Sequence, residues 1–167
     1  MDHSLTEIMS PAFDLREAAA LDAGRARIVA IRRAGRIEPT DIAALRNDVL
    51  ADRAPTREEA DALFELDGSS AARGADWLPF FAAAITDHVV WQMRPTGALS
   101  GAQAEWLIER ADAAHTIAAF AVLVSVLSEA HRVPQWFLAA VRARAARGWP
   151  GLDAALAAAV IETARAA

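Results

Sequence analysis

The sequence predicts an all-α protein, a compact multi-helix bundle of repeated helix-turn-helix hairpins with about eight helices. Three observations lead to this fold class. The apolar fraction is 54%, and much of it is alanine, the best helix former. Aromatic residues make up 7% of the chain and tyrosine is absent, so residues that favour strands are few. Apolar residues also recur at helical spacing between capping and helix-breaking residues.

A length of 167 residues fits one folded domain. We expect residues 1–12 to form a flexible N-terminal lead-in and residues 13–167 to form a single helical domain. The segment from Gly68 to Gly74 is rich in small polar residues and glycine, which is typical of a linker. The domain is therefore predicted to consist of two helical halves joined near 68–75.

The first four helices are marked by their start and stop signals. The first is predicted from Asp14 to Arg33, with Gly24 as a candidate break. Pro39 suits the first turn of the second helix, because the missing N–H would be unpaired there. The third begins with a capping box over Thr56–Glu59. Asp76 is the predicted N-cap of the fourth.

The remaining helices follow in the second half. Pro95-Thr96-Gly97 ends the fourth helix, and a second capping box over Ser100–Gln103 begins a long apolar segment. This segment is either one helix or two helices that break near His115. Pro134 opens the next helix, and Gly148-Trp149-Pro150-Gly151 separates it from an alanine-rich final helix.

A turn pattern recurs between these helices and predicts degenerate EF-hand-like hairpins. An apolar or proline residue precedes the helix and packs on it like a hydrophobic staple, and buried positions follow five and eight residues later. The four turns are Ile37 with Ile42 and Leu45, Pro55 with Ala60 and Leu63, Leu99 with Ala104 and Leu107, and Val133 with Leu138 and Val141. Calcium is not expected at these loops, because none has the required row of carboxylates before its glycine.

Composition narrows the classes of function. The chain has no cysteine, which excludes disulfides and zinc-thiolate sites and fits a reducing, cytoplasmic location. The start of the chain lacks the pattern of a signal peptide, and the longest apolar run, Ile117–Leu127, is too short to cross a bilayer. A net charge of −5 argues against a nucleic-acid partner. The arginine clusters near predicted helix ends are explained by the helix dipole.

Two segments, Val49–Ala60 and Gly97–Ala104, resemble the repeated turn of the tellurite-resistance TerB-like helical family. The resemblance implies a helical bundle of the kind found in bacterial proteins linked to stress or envelope processes. In that family an Asp-Gly pair and a glutamate are associated with metal binding. Only Asp52 and Glu59 match those positions here, so the resemblance implies no complete site of the family type.

The five tryptophans lie near predicted helix ends, where a large ring can seal the core while its N–H reaches a polar partner. Alternatively, Trp91, Trp106 and Trp136 are exposed together and form a surface that binds a protein partner or a second copy of the chain. The segment from Trp91 through Gln92, Met93 and Arg94 has the composition of an interface anchor and is the best candidate.

A divalent metal site is the second hypothesis. Its candidate ligands are Asp87, His88, His115, Glu129 and His131, contributed by facing helices. No motif of a nucleophilic hydrolase, a phosphate-binding loop or a metalloprotease is present. The sequence therefore favours a non-catalytic interaction module without a cofactor, and a metal-binding helical protein is the alternative.

Overall fold

The computed structural model describes residues 11–50 and 54–166. Within these ranges the chain forms eight α-helices, one π-helical segment and a two-stranded parallel sheet. The elements are α1 (Pro11–Ala34), β1 (Arg36–Ile37), α2 (Pro39–Val49), α3 (Arg57–Asp67), β2 (Ala72–Arg73), α4 (Trp77–Thr86), the π segment (Asp87–Gln92), α5 (Gly101–Ala114), α6 (Ile117–Glu129), α7 (Gln135–Arg147) and α8 (Leu152–Ala166). The predicted all-α fold is confirmed.

Both predicted capping boxes are present. The Thr56 hydroxyl accepts the backbone N–H of Glu59 at 3.3 Å, and the Glu59 carboxylate accepts the N–H of Thr56 at 2.9 Å. Ser100 and Gln103 do the same for α5, at 3.2 and 2.7 Å. Each box satisfies two N–H groups that lack partners within the helix, which explains why α3 and α5 begin at these residues.

One predicted helix boundary and one predicted capping hydrogen bond differ from the structure. Helix α1 begins at Pro11 and continues through Gly24, so residues 11 and 12 belong to a helix, while residues 1–10 of the predicted lead-in lie outside the described residues. Proline is favourable in a first turn, and one glycine weakens a helix without ending it. Asp76 precedes α4 but makes no capping hydrogen bond, because its backbone is helical rather than extended.

The long apolar segment forms two helices, α5 and α6. His115 breaks it with a left-handed backbone, φ 52°. Thr116 then caps α6 by accepting the backbone N–H of Ala119 at 3.1 Å. A left-handed residue followed by a threonine cap turns the chain back on itself, which places α5 against α6.

Two short parallel backbone pairings link segments that connect the helices. Strand β1, between α1 and α2, pairs with β2, between α3 and α4. A second parallel bridge joins Ala98, before α5, to Arg132, before α7. The predicted linker near 68–75 is thus held against the α1–α2 connection.

One hydrophobic core extends from Ile28 to Trp149 and includes residues from both sides of that linker. Helix α4 supplies its centre, with Trp77, Phe81 and Ile85 fully buried, and packs most extensively on α6. Three of the four predicted turns bury all their residues. At the fourth turn the prediction is wrong for Leu138, which is exposed. Helix α7 instead buries the larger Phe137 together with Val141.

A buried carboxylate at the end of α3 ties several elements together. Asp67 is fully buried and accepts the indole N–H of Trp77 at 2.8 Å and the hydroxyl of Thr116. The guanidinium of Arg73 lies 3.6 Å from the same carboxylate and donates to the Asp67 carbonyl. A buried charge is tolerated when it is paired and hydrogen-bonded, so Asp67 is a structural junction of α3, β2, α4 and the start of α6.

Candidate interaction surface

The π segment extends α4 to the edge of the bundle. Its middle residues, 88–90, are buried, whereas Asp87, Trp91 and Gln92 are exposed. Met93 ends the segment with an extended backbone. Turns of π-helix are rare and frequently occur at functional sites. This one presents an indole ring and a carboxylate on the same outer side.

Trp91 is exposed but held by two contacts. Its indole N–H donates to Oε2 of Glu129 at 2.9 Å. Its ring meets the ring of His131 edge to face, with the centroids 6.1 Å apart. The residue is nonetheless 44% exposed. Glu129 and His131 therefore fix the orientation of a large aromatic side chain that solvent can reach.

Paired loops hold His131 in place. Its backbone N–H donates to the carbonyl of Gly97 at 2.8 Å, and the N–H of Leu99 donates to the carbonyl of Arg132 at 2.9 Å. Gly97 has φ +77°, and a Cβ added there would lie 2.9 Å from Cδ2 of His131. Glycine at position 97 thus permits both the left-handed backbone and the close approach of the His131 ring.

Asp87 lies beside Trp91, and both line a groove of about 340 Å³ together with Gln92 and Ala54. Partial burial and the nearby negative charge of Glu129 raise the pKa of the Asp87 carboxyl. Among the described residues, no ion pair involves Asp87 or Glu129. Asp87 in the groove and Glu129 beside Trp91 are therefore two neighbouring acidic groups that form no ion pair with a described basic residue.

The five predicted metal ligands do not converge. Asp87, Glu129 and His131 surround Trp91, but His88 is buried, and its Nδ1–H donates to the carbonyl of Pro55 at 2.7 Å. His115 lies at the α5–α6 turn, with its ring 4.5 Å from that of Trp149. Among the described residues, no group of three or more His, Asp or Glu side chains is arranged to hold a metal ion.

The prediction that three tryptophans are exposed together is wrong for Trp106. It is 5% exposed and donates its indole N–H to Asp61 at 2.9 Å. The guanidinium of Arg57 lies 4.0 Å from its ring centre. Trp106 faces inward because its position on α5 packs against α3, where Phe64 meets its ring edge to face.

Trp136 resembles Trp91 in exposure, at 43%, but differs in how it is held. Its ring meets Phe137 edge to face, and its indole N–H has no hydrogen-bond partner among the described residues. Of the remaining predicted surface residues, Met93 is half-buried and Arg94 is exposed. Trp91 and Trp136 are therefore similar in exposure and differ in that only the indole N–H of Trp91 is held by a hydrogen bond among the described residues.

The structure merges two sets of residues that the sequence keeps apart. The sequence predicts Trp91 as an interface anchor and Glu129 and His131 as metal ligands; in the fold they form one surface. We call Asp87, Trp91, Gln92, Glu129 and His131 the Trp91 surface. No local pattern reveals this grouping, because 38 residues separate Trp91 from Glu129.

Other predicted features have structural partners. Arginines near the end of α1 form ion pairs, Arg27 with Asp48 and Arg32 with Glu65. Asp52, which the TerB-like resemblance singles out, lies outside the described residues, and the buried Glu59 serves in its capping box. In the described part of the chain, no helix has the length and apolar character that a bilayer span requires.

Comparison with known proteins gives no match to a family model, a curated protein or a solved structure. The resemblance to the TerB-like family stays a prediction.

Proposed function

We propose that this chain is a non-catalytic helical interaction module that binds a protein partner through the Trp91 surface. The observation that carries the proposal is a tryptophan that is 44% exposed and yet held by Glu129 and His131. A cytoplasmic location, as predicted from the sequence, is part of the proposal.

A pre-ordered tryptophan is well suited to binding. Association normally orders flexible side chains, at a cost of about 0.5–1.5 kcal/mol for each one. Trp91 avoids much of this cost, because its hydrogen bond to Glu129 and its contact with His131 already restrict the ring. Tryptophan is also enriched among the few residues that supply most of the energy of an interface.

The neighbourhood of Trp91 has the composition of an interface. The groove beside it offers the Gln92 amide and the Asp87 carboxyl, and the half-buried thioether of Met93 follows directly. A binding surface of this kind combines an aromatic anchor with polar groups that fix register and orientation.

The proposal is tested by selecting binders from a random peptide library on the folded protein. Selected peptides should bind the wild-type chain and the Trp136→Ala variant equally. They should bind Trp91→Ala at least about 30-fold more weakly, the loss typical of an interface hot spot. Trp136→Ala is the matched control, because both tryptophans are about equally exposed, at 43% and 44%.

Circular dichroism and thermal unfolding would establish that both variants remain folded. Peptides that bind Trp91→Ala as tightly as the wild-type protein would contradict the proposal. So would a selection that yields no peptide dependent on Trp91.

A further inference from the structure

The charge around Trp91 restricts what the partner can present. Several surface carboxylates elsewhere in the protein are paired with arginine, among them Asp48 with Arg27, Glu65 with Arg32, and Asp112 with Arg144. Asp87 and Glu129, which both lie beside Trp91, have no such partner among the described residues.

The carboxylates next to Trp91 are also close enough to influence each other. Glu129 contributes to the raised pKa of the Asp87 carboxyl, so each negative charge disfavours the other. A positive charge placed between them would relieve this repulsion. The basic residues of the adjoining loops, Arg94 and Arg132, are exposed and make no ion pair with either carboxylate.

The indole ring adds a second attraction for cations. An arginine or lysine side chain positioned over a tryptophan ring gains about 0.5–2 kcal/mol from the quadrupole of the ring. Because the N–H of Trp91 is already bound to Glu129, the ring is held beside this carboxylate with part of its surface open. A cation that contacts the ring would therefore also lie near Glu129.

From this charge complementarity we infer that the partner of the Trp91 surface is a peptide segment that places an arginine or lysine side chain against Trp91, with its charge facing Asp87 and Glu129. The aliphatic stem of such a side chain packs on the ring and in the groove, while the charged end reaches the carboxylates. This inference rests on the proposed function and adds the chemistry of the partner.

The test uses two blocked pentapeptides, Gly-Gly-Arg-Gly-Gly and the same peptide with citrulline in place of arginine. Citrulline keeps nearly the same shape and loses the charge. Each is titrated into the labelled full chain, and the indole N–H signals of the five tryptophans are followed by NMR. The Trp91 signal is assigned from its loss in Trp91→Phe.

We expect the arginine peptide to shift the Trp91 signal with an affinity in about the millimolar range and the citrulline peptide to bind at least about tenfold more weakly. The double variant Asp87→Asn with Glu129→Gln should lose the same factor for the arginine peptide. The amide oxygen of the introduced glutamine can still accept the Trp91 N–H, so the ring position is retained. Asp112→Asn, which removes a charge at the α5–α7 ion pair, should bind like the wild type.

Equal shifts with both peptides, no shift with the arginine peptide, or unchanged binding by the double variant would each overturn the inference. These results are distinct from failure of the proposed function. If selected library peptides depend on Trp91 but contain no enriched basic residue, the interaction module stands and the cationic partner does not.

Discussion

Two of the carboxylate–indole pairs in this protein have nearly the same hydrogen-bond length and opposite surroundings. Asp67 accepts the N–H of Trp77 at 2.8 Å, and Glu129 accepts that of Trp91 at 2.9 Å. The first pair is buried, and Arg73 and the Thr116 hydroxyl complete its polar contacts. The second pair is exposed, and its negative charge lies near that of Asp87, with no ion pair to a basic residue in the described part of the chain.

The difference separates a structural role from a binding role. At Asp67 every strong polar group has a partner from within the chain, so the arrangement stabilises the fold and offers nothing to a ligand. At Trp91 the same hydrogen bond orients a ring that solvent can reach, beside two carboxylates that no described arginine pairs with. The comparison can be tested by disturbing each pair in turn.

The largest effect is expected at the buried pair. Asp67→Ala should lower the free energy of unfolding by about 3–5 kcal/mol, because the Trp77 N–H and the Thr116 hydroxyl would be left buried without an acceptor. Urea unfolding followed by circular dichroism measures the change.

Asp112→Ala is the matched control for Asp67→Ala. Asp112 accepts two hydrogen bonds from Arg144, which raise the pKa of that guanidinium, but the pair lies at the surface. Loss of a surface pair lowers stability by about 0.2–1 kcal/mol. Similar losses for the two variants would remove the distinction between a structural and a surface carboxylate.

An intermediate effect is expected at Gly97, whose carbonyl accepts the backbone N–H of His131 and so helps to position the Trp91 surface. Gly97→Ala should lower the free energy of unfolding by about 1–3 kcal/mol, because the backbone is left-handed and the new Cβ would meet His131. The indole signal of Trp91 should shift, while that of Trp77 should not.

Gly101→Ala gives the comparison for this variant. Gly101 is the first residue of α5, and no other atom lies within 4 Å of a Cβ added there. Its stability should be unchanged or higher by up to about 1 kcal/mol, since alanine is the better helix former. An unperturbed Trp91 signal in Gly97→Ala would contradict the role assigned to the paired loops.

The smallest effect is expected at Asp87. The folded state raises the pKa of this carboxyl, so it binds a proton more readily than the unfolded chain does. Ionisation of Asp87 therefore lowers stability as the pH rises through the raised pKa, and this penalty is absent below the unfolded value of about 3.9.

Asp87→Asn should accordingly be more stable than the wild type at neutral pH by only a few tenths of a kcal/mol, because the group is exposed. The difference should vanish below about pH 4. Unfolding curves over this pH range measure it, and a variant that is less stable at neutral pH would contradict the raised pKa of Asp87.

Much of the fold follows from local sequence signals. The capping boxes at Thr56 and Ser100 and the staple at Ile37 act within one helix and its turn, so spacing alone identifies them. The prediction for the Val133 turn is wrong because Phe137 and Leu138 are adjacent apolar residues, and only packing against α6 decides which one is buried.

The candidate site is predictable only in part. Composition singles out Trp91 and its neighbours, but position near a helix end does not distinguish Trp91 from the buried Trp106. The contacts of Trp91 with Glu129 and His131 depend on how α6 crosses the π segment. A single sequence carries no signal for such long-range contacts.

Helix α8 packs on the rest of the protein through almost none of its residues, and this affects how it unfolds. Of its residues, Leu152–Ala166, only Leu152 is even half-buried, and Val160 is 69% exposed. A helix of about 15 residues without tertiary support is marginal in water. We therefore expect α8 to melt gradually and ahead of the cooperative transition. Far-ultraviolet dichroism should then slope with temperature, while the wavelength of maximum tryptophan emission stays constant until the transition, because α8 contains no tryptophan.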